Sequence, residues 1–195
     1  PNASVIPKIT MDNEEIQKAR NLISNTNKKI IVYFGFIYPN KGVEKLFDVL
    51  NPQEHHLVLV GNMNANSYYH QKIIELSNSP SWSGNVTCTG FISAEEVGRY
   101  IKISDAVILP YVEGGGTWNT SLHAAILQGT FVITTSSTEQ GYDAERNMFY
   151  TKPDDIPLMR QALKEYCGRK LDVRLIDDPW KKIADDHINI YSQIR

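Results

Sequence analysis

A chain of 195 residues is long enough for one ordinary domain with a sizeable core. Its 42% apolar and 22% charged content is that of a globular protein, and a net charge of −2 offers no positive field to nucleic acid or anionic lipid. No stretch approaches the ~18 apolar residues of a membrane span, and the two cysteines, Cys88 and Cys167, are too few for a disulfide framework.

In chain order, residues 1–28 read as a connecting segment and a first helix. Short β-branched runs then alternate with amphipathic stretches. The runs are Ile30–Phe34, Leu57–Val60, Val86–Thr89, Ala106–Leu109, Phe131–Thr134 and a weaker Met148–Tyr150. Most are apolar throughout, as strands covered on both faces should be. Between them, Leu46, Val49 and Leu50, then Ile73, Ile74 and Leu76, then Val97, Ile101 and Ile103, then Leu122, Ala125 and Ile126 recur at helical spacing. Ser93 with Glu96 three residues on is a capping-box pattern. Two more helices are predicted near Asp155–Cys167 and Trp180–Ile194. The alternation predicts a Rossmann-like, doubly wound parallel α/β sheet of about six strands, with right-handed crossovers and helices on both faces. Residues 29–178 form its core and 179–195 a C-terminal helix. Cys88, in an apolar run, is expected in the core.

In such sheets ligands bind beyond the carboxyl ends of the strands, so the strand-to-helix junctions carry the candidates. After the first strand comes Gly35-Phe36-Ile37-Tyr38-Pro39-Asn40-Lys41-Gly42. Glycine lets backbone approach a ligand, and Lys41 offers a point charge to phosphate. The GxxxxGK[ST] spacing of a P-loop is absent, and an ordinary turn with a solvated lysine is the alternative. After the fourth strand, Tyr111-Val112-Glu113-Gly114-Gly115-Gly116-Thr117-Trp118-Asn119-Thr120-Ser121 leads into a helix. Three consecutive glycines are entropically costly, and Asn119 or a neighbour supplies an N-cap. A glycine loop feeding a helix N-terminus is an anion site, because free N–H groups and the dipole face the ligand. A flexible surface loop is the other reading. Thr89-Gly90-Phe91-Ile92 ends the third strand and by itself reads as packing.

Taken in order, these segments resemble the second, donor-binding domain of retaining GT-B glycosyltransferases, the group 1 (family 4-like) enzymes that include sucrose-phosphate and glycogen synthases. Gly35 with Lys41 matches the family's glycine–lysine loop, Leu59-Val60-Gly61 its "L-V-G-x-G" strand end, and Val86–Phe91 its "V-x-F-x-G-x" segment. Ser104-Asp105-Ala106 with Leu109-Pro110 resembles "x-A-D-V-x-V-x-P", and Gly129–Ile133 resembles "C-G-T-P-V-I-A". Pro1–Ser4 resembles the segment joining the two domains, Asn147–Pro153 the "N-G-x-L-V-x-P" close, and Trp180–Tyr191 the terminal helix. The resemblance covers nearly the whole chain.

It implies a hexosyltransferase (EC 2.4 class) that uses a nucleoside diphosphate sugar and needs no metal or other cofactor. Glu113 contacts the donor sugar and Lys41 stabilises the diphosphate. Gly35, Phe36, Gly115, Gly116, Thr117, Trp118, Asn119, Thr120, Ser121 and His123 line the donor site, and Gly90, Phe91 and Ile92 take the base. The acceptor-binding N-terminal domain is expected elsewhere in a longer protein, since the chain opens on Pro1, and this domain alone is expected to be inactive. A cytoplasmic bacterial protein of polysaccharide biosynthesis follows, touching a membrane only through the other domain.

Three features depart from the family. Phe36 stands where an arginine usually follows the loop's first glycine, Trp118 and Asn119 stand near a subgroup's paired arginines, and Ser121 or Ala124 stands where a second glutamate falls. The departures motivate an alternative, a non-catalytic binding or scaffolding domain derived from such an enzyme. The remaining polar residues add no metal pattern. His55-His56 are expected exposed and His70 and His187 on helical faces, while Asp154-Asp155, Asp177-Asp178 and Asp185-Asp186 read as solvated charges. Tyr111 or Trp118 could line the sugar, stack on the base or anchor a loop.

Overall fold

The computed structural model describes residues 4–24, 26–116, 119–173 and 179–193, and within the last segment the side chains of 183–192. The apolar runs become β1 (Lys29–Phe34), β2 (His55–Val60), β3 (Val86–Cys88), β4 (Ala106–Leu109) and β5 (Val132–Thr135). A short β6 (Gly141–Asp143) precedes β7 (Met148–Thr151). The sheet runs β3-β2-β1-β4-β5-β7-β6. Every pairing is parallel except β6 with β7, where Gly141 faces Tyr150. The antiparallel strand β6 escapes a reading by apolar runs, because its three residues are half-buried and include Gly141 and Asp143.

The helices are α1 (Asn13–Ile23), α2 (Leu46–Val49), α3 (Tyr68–Ser77), α4 (Ala94–Ile103), α5 (Thr120–Leu127), α6 (Ile156–Tyr166) and α7 (Pro179–Gln193). Right-handed crossovers put α2 and α3 on one face and α4 and α5 on the other. Accordingly α2 packs on α6, while α4 meets α1 and α5. The capping box on α4 is present in full, with Ser93 accepting from the Glu96 N–H and Glu96 from the Ser93 N–H. Asp12 and Glu15 build a second on α1, whose Asp-x-x-Glu pattern carries the same signal.

Apart from Lys29, the residues of β1, β2, β4 and β5 are buried, and Asp105 centres a charged cluster at their amino ends. Asp105, mostly buried, accepts from Arg20 at 2.8 Å and from the Ile30 N–H at 2.7 Å, while Arg20 also donates to the Ile103 carbonyl. This joins α1, α4, β1 and β4, and satisfying both partners of a buried pair is what makes it tolerable.

Three expectations are corrected. His55 and His56 belong to β2 and are buried, His56 bonding to the Thr87 hydroxyl at 2.8 Å and His55 to the Asn51 backbone. Burial lowers the pKa of both rings. His70 lies on α3 as expected, on its buried face. Cys88 is exposed, at the carboxyl end of β3, the sheet's edge strand, whose other two residues are half-buried. Cys167 is half-buried, and desolvation pushes its thiol up to about 12. A thiol reagent should therefore titrate Cys88 in the native protein and Cys167 only on unfolding. Equal native rates for the two would contradict this placement.

Candidate functional site

In an open α/β sheet the crevice lies where strand order reverses. That point is between β1 and β4, from which successive strands run outward on opposite sides. Two loops flank it, residues 35–42 after β1 and 110–116 after β4, and each is shaped by its glycines.

The first loop leaves β1 at Gly35, whose φ of +124 suits glycine and where a Cβ would lie 3.6 Å from the Ser121 hydroxyl. Ile37 is buried beneath the loop. Pro39–Lys41 form a 3-10 turn closed by left-handed Gly42. A Cβ on Gly42 would lie 2.3 Å from the Pro110 carbonyl oxygen, so the loops are in backbone contact there. The Val112 N–H donates to the Asn40 carbonyl at 3.1 Å and ties them again.

Lys41 projects from this turn with its ammonium 4.7 Å from the centroid of the Tyr111 ring. That is within cation–π range. Tyr111 is buried. Desolvation pushes its phenol up to about 12, against the lowering effect of the neighbouring Asn119 and Ser121 side chains. Tyr111 thus spans the crevice floor, its face under Lys41 and its phenol beside the first turn of α5. The role is anchoring, of lysine and helix together. Lys45, four residues on, is instead committed to Asp154 at 2.5 Å.

The glycine run has a packing reason. The Gly115 N–H donates to the Thr135 carbonyl at 2.7 Å, and a Cβ there would come within 3.0 Å of the Tyr111 ring. The loop therefore lies flat across the end of β5. Asn119 is the N-cap of α5, its side chain accepting from the Ser121 N–H at 3.0 Å. Asn119→Ala should cost about 1 kcal/mol of stability, read as a shifted urea midpoint, through loss of this cap. A midpoint equal to the wild type would remove Asn119 as the cap.

The structure therefore brings together Gly35, Lys41, Gly115, Asn119 and Ser121. Gly116 accepts from the Asn119 N–H, Thr120 is exposed on the helix it starts, and His123 is half-buried one turn on. Glu113 lies exposed on the turn after Tyr111. Thr117 and Trp118 lie outside the described residues. Phe36 is 71% exposed and stacks on Tyr38 with centroids 5.4 Å apart, so an aromatic pair occupies the loop position just after Gly35. Gly90, Phe91 and Ile92 sit at the same end of the sheet but two strands from β1, about 10 Å away at ordinary strand spacing. Gly90 has φ +71 with open space around it, Phe91 is exposed, and Ile92 packs on the core.

Two residues outside the sequence-based candidates support the first loop. Tyr33, from β1, donates its hydroxyl to the Phe36 carbonyl at 2.6 Å, and burial raises its pKa. His70, from α3, bonds to the Ile37 carbonyl at 2.6 Å. Both read in sequence as ordinary strand and helix residues; their partners are loop carbonyls far along or around the chain. A cavity of about 680 Å³ opens elsewhere, beside the amino ends of β1 and β2, among Lys29, Leu50, His55, Arg160, Leu163 and Cys167. Its Lys29 faces Asp105 and its Arg160 donates to the Asp48 carbonyl, so nothing converges there as it does at the switch point. Among the described residues no group of three His, Cys, Asp or Glu side chains is placed to hold a metal ion.

Fold and site together define a doubly wound α/β domain with a lysine and a capped helix N-terminus at its topological switch point. The family described as glycosyl transferases group 1 matches residues 13–143, more than half of the chain, and the chain belongs to that family. Comparison with curated protein sequences returns no match. Among solved structures, sucrose-phosphate synthase from Thermosynechococcus elongatus superposes with a TM-score of 0.70 at 19% identity, covering 97% of this chain and 52% of that one. Anabaena HepE, solved with UDP and glucose, gives 0.66 at 18%, covering 80% and 44%. The C-terminal domain of the group 1 glycosyl transferase LpcC from Francisella tularensis gives 0.63 at 14%, covering 84% and 86%. At these identities the likeness shows the GT-B C-terminal fold, and this chain spans about half the length of the first two.

Proposed function

We propose that this domain binds the donor of a retaining hexosyltransferase, a nucleoside diphosphate hexose, in the crevice between residues 35–42 and 110–116. The observation that carries the reading is the convergence of Lys41 and the α5 N-terminus on the two ends of Tyr111. A cation and a helix N-terminus at one point are what a diphosphate requires. Phosphate there leaves the base to run along the strand ends toward Gly90, Phe91 and Ile92, and places the sugar under the loop that carries Glu113. The solved likeness to HepE with UDP and glucose supports the same class of ligand.

In this reading the bond from the sugar's anomeric carbon to the diphosphate breaks as the acceptor oxygen bonds to that carbon on the same face. The acceptor proton passes to the departing phosphate oxygen. Negative charge grows on the diphosphate, so Lys41 and the helix amides stabilise the transition state more than the ground state. No metal takes part. The acceptor site belongs to a further domain of the whole protein, which works in the cytoplasm of a bacterium building a glycan or lipid-linked product. No described helix is long and apolar enough to cross a membrane.

Incubating the whole protein with UDP-, GDP- and ADP-hexoses and reading the anomeric configuration of the product by NMR tests this. Release of one nucleoside diphosphate with retained configuration is expected; an inverted product would overturn the retaining assignment. A second reading, a binding or scaffolding domain without catalysis, is favoured by Phe36, whose exposed ring replaces a phosphate-binding charge. Nucleotide binding without any turnover by the whole protein would select it.

A further inference from the structure

We infer that His70 is a positioning residue for the phosphate-binding lysine. The inference rests on the donor-site reading above and names the group that aims it. His70 is 8% exposed, and both ring nitrogens are occupied by main chain. Nδ1 accepts from the Asn64 N–H at 2.7 Å. The ring is therefore protonated at Nε2 when neutral, and Nε2 donates to the Ile37 carbonyl at 2.6 Å. One imidazole thus rivets the loop after β1 to the loop after β2.

The rivet reaches Lys41 through a stiff path. Ile37 is fully buried, and the next residues form the 3-10 turn in which the Lys41 N–H donates to the Tyr38 carbonyl and the Gly42 N–H to the Pro39 carbonyl. Three carbonyls of this loop each receive a donor from a different element: Phe36 from Tyr33, Ile37 from His70, and Asn40 from Val112. Tyr33 belongs to β1 and Val112 to the loop after β4, the two sides of the crevice. His70 belongs to α3, which sets the loop from outside. Without it the buried Ile37 carbonyl loses its partner and the turn is free to shift, and a displacement of a few tenths of an ångström changes where the ammonium meets an anion.

The two ring nitrogens can be separated by substitution. Gln presents an amide N–H₂ where Nε2 stands and keeps the bond to Ile37, while Asn presents an oxygen where Nδ1 stands and keeps the bond to Asn64. Calorimetric titration with UDP, GDP and ADP is expected to show His70→Gln within about twofold of wild type for whichever nucleotide binds. His70→Asn is expected roughly tenfold weaker, as for one lost hydrogen bond. A purely structural histidine would instead make affinity follow melting temperature, whichever nitrogen is kept. Long-range proton–nitrogen NMR on the wild type needs no variant. It should find the ring protonated at Nε2, with a signal that moves when nucleotide is added. His70→Asn at wild-type affinity, equal weakening of both variants, or a ring protonated at Nδ1 overturns the inference alone. A wild type that binds none of the three nucleotides overturns the donor-site reading, and this inference with it.

Discussion

Lys41→Ala is expected to weaken binding of the cognate nucleoside diphosphate by roughly 10–100-fold, the value of a charge-assisted hydrogen bond to phosphate. Melting temperature should barely move. Lys41 is half-exposed, and its only described side-chain interaction is the 4.7 Å approach to the Tyr111 face. An exposed-side cation–π contact contributes about 0.5–1 kcal/mol at most, so stability and affinity are separable at this position. Lys41→Arg tests the geometry further. A guanidinium keeps the charge and stacks on tyrosine, but its planar fork needs more room than the tight 3-10 turn gives, so partial rescue is expected. Calorimetry checks the affinities and thermal melts check the fold. A Lys41→Ala protein that binds nucleotide like the wild type would remove the lysine from the phosphate site.

Gly42→Ala carries the largest expected stability effect, about 3 kcal/mol. Two penalties coincide there. The residue is left-handed at φ +65, which costs about 1–2 kcal/mol for an L side chain. The new methyl would lie 2.3 Å from the Pro110 carbonyl oxygen, so one of the two loops must move, at an overpacking cost of about 1–3 kcal/mol. Gly84 supplies the control: φ is +75, yet nothing stands within 4 Å of its Cβ position. Gly84→Ala should therefore show the backbone penalty alone, about 1 kcal/mol. Because Gly42 is where the crevice loops touch, its substitution should also weaken nucleotide binding, which Gly84→Ala should not. Urea denaturation and titration of both variants check this, and equal destabilisation by the two would contradict the contact with Pro110.

The fold was legible because buried parallel strands write themselves as continuous apolar runs. Ala106–Leu109 matches its run residue for residue, and the ends of the others differ by a residue or two at most. Helix starts were legible where the capping chemistry is local, as at Ser93 with Glu96 and at Asn119. What was not legible depends on strand order. Cys88 and the buried strands share the same residue types, and only the edge position of β3 exposes the thiol. His55 and His56 look polar enough for a loop, but hydrogen bonds to the Asn51 backbone and the Thr87 hydroxyl let them extend β2 inward.

The same distinction runs through the site. Gly35, Lys41 and the glycine run before α5 announce themselves by residue type and by place after a strand. Tyr111 was visible as a loop aromatic, yet its place under Lys41 and beside Asn119 and Ser121 exists only once β1 and β4 lie side by side. Tyr33 and His70 gave no sequence signal, since each acts on a backbone carbonyl, which has no letter in the sequence.

The central claim is that the β1–β4 crevice holds a nucleoside diphosphate, and the measurement that tests it most directly is titration of the protein with UDP, GDP and ADP followed by backbone NMR. Saturable binding of one of the three is expected, with the largest amide shifts at Lys41, Gly42, Gly115, Asn119, Thr120 and Ser121. Binding whose shifts fall instead around Lys29, His55 and Arg160, or no binding up to millimolar nucleotide, would contradict it.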